Sequence, residues 1–156
     1  MSAHKNKNFS KRLARLSAVQ ALFQSAYEEE SVDEILARMA LEGQTFLNDE
    51  ELEGEDIPET PDIDLMRALV LGVVEHQPAL EEVLDAALGE DRSKERMEKL
   101  LKTILIAGIY ELYYCPEVAS GIIINDYVDV TRAFFQGKES KLVNALLDRI
   151  GKKLRA

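Results

Sequence analysis

Hydrophobic residues recur at intervals of three and four along almost the whole chain, and no stretch alternates polar and apolar residues long enough to indicate a β-strand. This pattern predicts an all-α fold of six or seven helices in one compact domain covering residues 1–156. Residues 1–9 precede the first predicted helix and are expected to be flexible. The acidic stretch 48–61 contains one glycine and two prolines, so it is expected to form a loop.

Capping residues predict the helix boundaries in the first part of the chain. Ser10 is a good N-cap, and the hydrophobic spacing behind it predicts a helix from about Ser10 to about Glu28. Ser31 followed three residues later by Glu34 is typical of a capping box, so a second helix is expected to begin there. Gly43 is the expected end of this second helix.

Prolines and glycines divide the middle of the chain. Pro61 suits the first position of a helix. Pro78 lacks a backbone N–H and is therefore predicted to break this helix, to kink it or to start a new one, before the pattern stops at Gly89. The most apolar helix is predicted from about Met97 to Cys115, and its composition places it at the centre of the fold.

Two further helices are predicted in the last third of the chain. Three consecutive isoleucines between Gly121 and Phe135 resemble a strand, but the residues after them follow helical spacing. The last helix is predicted from about Glu139 to Leu154. Gly108 lies on the apolar face of the predicted helix from about Met97 to Cys115, where the missing side chain allows a neighbouring helix to approach closely.

The net charge of −10 conceals a basic segment at each end of the chain. Residues 1–17 hold five basic residues and no acid, and residues 132–156 hold seven basic residues and two acids. Residues 28–64 hold fifteen acids against one arginine. Phosphate binding depends on local potential, so the two ends would form a basic patch if they meet in the fold. Two solvated termini are the alternative interpretation.

The sequence lacks the residues that most catalytic or metal centres require. Cys115 is the only cysteine, and the two histidines, His4 and His76, lie far apart, so neither a disulfide nor a tetrahedral zinc site is expected. No nucleotide-binding or hydrolase motif occurs. The longest uncharged stretch, residues 16–27, is too short and too polar to span a bilayer. We therefore expect a cytoplasmic protein that is not an enzyme and needs no cofactor or metal.

Four segments in order resemble one family of bacterial proteins. Residues 11–23 (KRLARLSAVQALF) resemble the start of the transcription antitermination factors of the NusB family. Residues 109–112 (IYEL) resemble the family's YEL segment, and residues 124–126 (IND) its INE segment. Residues 142–149 (LVNALLDR) resemble its FVNGVLD signature.

The resemblance implies a fold of two small helical subdomains and a role in RNA binding. It implies that the chain binds the single-stranded boxA element of ribosomal RNA leaders together with the small-subunit ribosomal protein NusE. This complex would join the transcribing RNA polymerase and promote ribosomal RNA transcription. Whether free chains form a homodimer stays open. An acidic helical adaptor that binds only proteins is the alternative.

Single-stranded RNA requires cations for its backbone and amide or flat side chains for its bases. Three cations at the start of the first helix match the family's arginine-rich start, and a glutamine behind them matches another family position. Two lysines before the LVN string are expected to extend the basic patch. The asparagine within that string can read a base, or serve a helix contact instead. These candidate RNA-binding residues are Lys11, Arg12, Arg15, Gln20, Lys138, Lys141 and Asn144.

The chain also departs from the family pattern. Leu13 interrupts the basic run at the start of the first helix, and Leu142 replaces the phenylalanine of the FVN string. The thinner basic run predicts weaker RNA affinity in the absence of the partner protein.

Overall fold

The computed structural model describes residues 2–28, 30–47, 61–89 and 97–155. Within these ranges the chain forms six α-helices and no strand, which confirms the predicted all-α fold. The helices are α1 (Ser2–Tyr27), α2 (Val32–Leu47), α3 (Ile63–Leu88), α4 (Lys99–Tyr114), α5 (Ser120–Phe134) and α6 (Glu139–Leu154). Residues 48–60, which hold most of the predicted acidic loop, lie outside the described residues.

The chain divides into two compact units, Met1–Val70 and Leu71–Ala156. Two helical units agree with the two small subdomains that the resemblance implies. No helix in the described ranges is long and apolar enough to cross a membrane.

The first unit shows that α1 begins earlier than its capping signal suggested. Residues 2–9 contain no glycine or proline, so nothing in their backbone stops the helix, and α1 starts at Ser2. The boundary predicted at Ser10 is therefore wrong. The carbonyl of Ser10 instead accepts the backbone N–H of Asp62 at 3.1 Å, which fixes the segment before α3 against α1.

The start of α2 follows the predicted cap. The Ser31 hydroxyl accepts the backbone N–H of Glu34 at 3.1 Å, and the Ser31 carbonyl accepts that of Ile35 at 3.0 Å. The end of this helix at Leu47 lies four residues beyond the predicted stop at Gly43. A glycine inside a helix costs only about 1 kcal/mol relative to alanine, which is too little to end a helix on its own.

Asp62, and not Pro61, sets the start of α3. The Asp62 carboxylate accepts the backbone N–H of Leu65 at 3.1 Å, and its carbonyl accepts that of Met66 at 2.9 Å. This is the geometry of an N-cap, so Pro61 precedes the helix, and its predicted place at the first helical position is wrong.

The helix α3 continues through Pro78 to Leu88 without a break. A proline inside a helix costs about 3 kcal/mol, and the burial of Leu80 and Leu84 just beyond it offsets this cost. Gly89 ends the helix as predicted, with a left-handed φ of 61° that favours glycine.

The helices α4, α5 and α6 pack against one another in the second unit. Nine of the sixteen residues of α4 are buried, which confirms its predicted central position. A Cβ placed on Gly108 would lie 2.9 Å from Cδ1 of Leu147, so the glycine permits the close approach of α6 that its position predicted. The bounds of α6 match the prediction, and α5 covers the run between Gly121 and Phe135 that was predicted to be helical and not a strand.

Arg155, just after α6, forms hydrogen bonds with the turn between α4 and α5. Its guanidinium donates to the carbonyls of Leu112 (3.1 Å), Cys115 (2.9 Å) and Val118 (2.6 Å), and to the Ser120 hydroxyl (3.2 Å). Leu112 lies in the last turn of α4 and the other two residues follow the helix, so these carbonyls have no partner within α4. One of the basic residues near the C-terminus is thus used to hold the fold together.

Candidate nucleic-acid interface

The three α1 cations expected to bind phosphates differ in their accessibility. Lys11 and Arg12 are half-buried and keep part of their side chains at the surface. Arg12 also interacts with other residues of the protein. Both side chains are therefore partly accessible to solvent.

Arg15 is buried, with only 2% of its surface exposed. It stands three residues before Ala18 and seven before Leu22, both of which are buried, so helical spacing turns it to the inner side of α1. A guanidinium stays charged at any accessible pH, and Arg15 has partners inside the protein. The structure therefore does not place Arg15 where a phosphate can reach it, contrary to its expected role.

Gln20 is exposed, but it does not lie on the same side of α1 as Lys11. It stands nine residues after Lys11, and a rotation of about 100° per residue puts the two on opposite sides of the helix. A single strand of RNA lying along one side of α1 cannot contact both residues.

A polar pocket of about 460 Å³ lies between α5 and α6 in the second unit. Two of the predicted RNA-binding residues, Lys141 and Asn144, line it. The other residues around it are Gly121, Ile124, Asn125, Val128, Arg132, Ser140 and Asp148.

Helical periodicity explains how these two helices form the pocket. Asn125, Val128 and Arg132 follow each other at intervals of three and four on α5 and therefore share one side of that helix. Lys141 and Asn144 are three residues apart on α6 and line the opposite wall.

The cations beside the pocket differ in whether they already form an ion pair. Arg132 forms an exposed ion pair with Asp129 at 3.2 Å, and the pocket residue Asp148 is paired with Lys152 at 2.9 Å. Lys141 is exposed and makes no ion pair with any described residue. Lys141 is therefore the cation most available to a phosphate at this site.

Lys138 lies next to the pocket, at the N-terminal end of α6. Its side chain is exposed, and its carbonyl accepts the backbone N–H groups of Lys141 and Leu142 at 3.1 and 3.2 Å. It does not line the pocket itself. The positive end of the α6 dipole adds to its charge in favouring an anion there.

The pocket carries the chemistry that single-stranded RNA requires. The amides of Asn125 and Asn144 each offer donors and an acceptor, which can pair with the edge of a base. Cationic side chains beside them can contact the phosphates on either side of that base. Asn144 is exposed, so its amide is accessible to a ligand.

The structure thus brings Lys138, Lys141 and Asn144 together at one end of α6. Lys11, Arg12 and Gln20 belong to the other unit. Asn125 and Arg132 also line the pocket but were not predicted as candidates from the sequence. Their separation by seven residues, two helical turns, was the available signal that they share one side of α5.

Comparisons with known proteins agree with the resemblance seen in the sequence. The profile of the NusB family matches residues 12–152. A transcription antitermination protein NusB of Mesorhizobium japonicum is 39% identical over 142 residues, which cover 91% of this chain and 88% of that protein. The protein of the same name from Bartonella tribocorum is 36% identical over 155 residues, covering 99% and 96%.

A solved structure of T. maritima NusB shares the fold. It superposes with a TM-score of 0.69 at 22% sequence identity and covers 92% of this chain and 91% of its own. The family profile spans most of the chain, and the curated relatives are similar over nearly their full length. The chain therefore belongs to the NusB family.

Proposed function

We propose that this chain is a transcription antitermination factor that binds boxA-type single-stranded RNA together with the ribosomal protein NusE and promotes ribosomal RNA transcription. The observation that carries the proposal is the α5–α6 pocket, where Lys141 and Asn144 stand among further amide and cationic groups. The name shared by the curated relatives, transcription antitermination protein NusB, supports the same role.

In this proposal the pocket holds one unstacked base. The amides of Asn125 and Asn144 read its edge, and a well-placed amide pair discriminates against a wrong base by about 1–3 kcal/mol. Lys138 and Lys141 neutralise the flanking phosphates, while Lys11 and Arg12 supply further phosphate contacts from α1. Arg15 has no part in the proposed contact, because its guanidinium is buried.

The proposed role is binding and assembly, and it requires neither a cofactor nor a metal. Within the described residues no group of three histidine, cysteine or acidic side chains is placed to hold a metal ion. Transcription by bacterial RNA polymerase takes place in the cytoplasm, where the chain would join the antitermination complex. The acidic segment 28–64 favours a basic partner, which suits a ribosomal protein.

The test is a titration of labelled boxA RNA and of a scrambled RNA with this protein, followed by fluorescence anisotropy at two salt concentrations. Each RNA is titrated in the presence and in the absence of NusE. The proposal predicts a preference for boxA that NusE strengthens. Equal, weak binding of both RNAs that NusE leaves unchanged would contradict it and favour the adaptor function.

A further inference from the structure

A groove lies between α3 and α6 in the second unit, beside the last turn of α4, and is here called the α3–α6 groove. It has a volume of about 340 Å³. The residues that line it are Val83, Ala86, Ala87, Tyr113, Arg149, Ile150, Lys153 and Leu154.

Most of the α3–α6 groove is apolar, and part of this apolar surface is open to solvent. Tyr113 is 49% exposed and Leu154 is 37% exposed, whereas Ile150 is buried. Ala86 is exposed on the α3 side, and its short side chain leaves room beside the tyrosine ring. A concave apolar surface of this kind is suited to hold an apolar side chain of a binding partner.

Two cations stand on the α6 side of the groove. Arg149 and Lys153 are four residues apart and therefore share one side of α6. Both are exposed, and neither forms an ion pair with any residue in the described ranges. Arg149 donates a hydrogen bond of 3.0 Å to the carbonyl of Ala87, which holds its guanidinium beside the groove. Both charges are therefore available to an anionic group of a partner.

The α3 side of the groove has the opposite charge nearby. Glu82 lines an adjoining depression that shares Val83, Ala86 and Tyr113 with the groove. An anionic group is therefore attracted toward α6 and repelled from the neighbourhood of Glu82. This difference gives a bound partner one preferred orientation.

We propose that the α3–α6 groove binds an acidic peptide segment of a partner protein. One apolar side chain of the peptide fills the groove beside Tyr113, and a neighbouring carboxylate pairs with Arg149 and Lys153. A guanidinium can bind a carboxylate with two parallel hydrogen bonds, which fixes its position. Tyrosine and arginine are also among the residues that contribute most to binding at protein interfaces.

The groove is separate from the proposed RNA site. Lys153 stands nine residues after Asn144, and a rotation of about 100° per residue puts the two on opposite sides of α6. The described lining of the groove contains no side-chain amide that could pair with the edge of a base. The peptide proposal is thus independent of the proposed RNA function, and either can fail without the other.

The test begins with the selection of a phage-displayed library of random short peptides on the full wild-type chain without RNA. The proposal predicts that the enriched peptides share an apolar residue next to acidic residues. Enrichment of basic or uncharged peptides, or of no peptide at all, would overturn the proposal.

An enriched peptide is then synthesised with a fluorescent label and titrated with variants of the protein. Lys153→Glu and Ala86→Glu each place an acid beside the groove and should weaken peptide binding at least about tenfold. The matched controls Lys152→Glu and Ala133→Glu make the same changes at exposed positions that do not line the groove, and should bind within about threefold of the wild type. Glu82→Gln removes the nearby acid and should bind at least as tightly as the wild type.

Equal peptide affinities of Lys153→Glu and Lys152→Glu would overturn the proposal. The same two variants are also titrated with labelled boxA RNA, for which equal affinities are expected. A loss of RNA affinity in Lys153→Glu but not in Lys152→Glu would assign the groove to RNA phosphates and would likewise overturn the peptide proposal.

Discussion

The hydroxyl of Tyr127 donates a hydrogen bond of 2.6 Å to Oε2 of Glu111 and joins α5 to α4 inside the second unit. Both residues are buried. Tyr127→Phe removes the donor and leaves the buried carboxylate without one of its partners, so we expect a loss of about 1.5–3 kcal/mol in the free energy of unfolding. Urea denaturation at neutral pH measures this loss. Tyr113→Phe is the control, since its ring is exposed, and an equal effect of the two variants would contradict the account.

The ring of Tyr110 occupies the space beside Gly72. A Cβ on Gly72 would lie 2.7 Å from Cε2 of Tyr110, and still closer to the phenolic end of the ring. We expect Gly72→Ala to lower the free energy of unfolding by about 1–3 kcal/mol, because the ring must move. Gly121→Ala is the control, since its Cβ meets nothing within 4 Å, and it should be neutral or slightly stabilising. Similar denaturation midpoints for Gly72→Ala and the wild type would contradict the close packing.

Tyr110 makes the stability of the protein sensitive to alkaline pH. Burial raises the pKa of Tyr110 above 10.0, and the nearby Cys115, Glu75, Glu111 and Tyr114 raise it further. The phenol therefore ionises more easily in the unfolded chain than in the folded one. Stability is unaffected by this group below pH 10.0 and falls as the pH rises above it.

The measurement for Tyr110 is a series of urea denaturations between neutral pH and the alkaline range. The free energy of unfolding of the wild type should fall more steeply above pH 10.0 than that of Tyr110→Phe, which has no phenol to ionise. Parallel curves for the two proteins would show that the ionisation of Tyr110 is not linked to folding.

We expect that the amine of a lysine cannot replace the guanidinium of Arg155 in stabilising the fold. Arg155→Lys keeps the positive charge but loses the planar fork that reaches several carbonyls at once. We expect both Arg155→Lys and Arg155→Ala to lose about 2–3 kcal/mol of unfolding free energy. Lys152→Ala, which removes only an exposed ion pair with Asp148, should lose less than about 1 kcal/mol. If Arg155→Lys is as stable as the wild type, the positive charge alone is enough to stabilise the fold at this position.

The hydrophobic pattern predicted the helices more reliably than the local signals predicted where they begin and end. The bounds of α6 were predictable because its apolar spacing and its flanking residues indicate the same start and end. Gly43 and Pro78 did not stop their helices, since each costs only about 1–3 kcal/mol and burial elsewhere in the helix outweighs it.

The candidate site was predictable only where its residues lie on one helix. Lys138, Lys141 and Asn144 stand within seven positions of each other, and α6 brings them together. Asn125 and Asn144 line the same pocket because α5 packs against α6. The spacing of residues along the sequence does not predict this packing. The spacing of Arg15 to Ala18 and Leu22 indicates a buried position, but charged residues are usually exposed, so the sequence predicted that Arg15 lies at the surface.

The most direct test of RNA binding at the α5–α6 pocket is the salt dependence of boxA RNA affinity. The four proposed phosphate contacts, of Lys11, Arg12, Lys138 and Lys141, predict a log–log slope of about −2.8 for the wild type. Removing both lysines of α6 (Lys138→Ala with Lys141→Ala) should reduce the slope to about −1.4, whereas Lys152→Ala should leave it unchanged. Equal slopes for all three proteins would show that RNA does not bind at this end of α6.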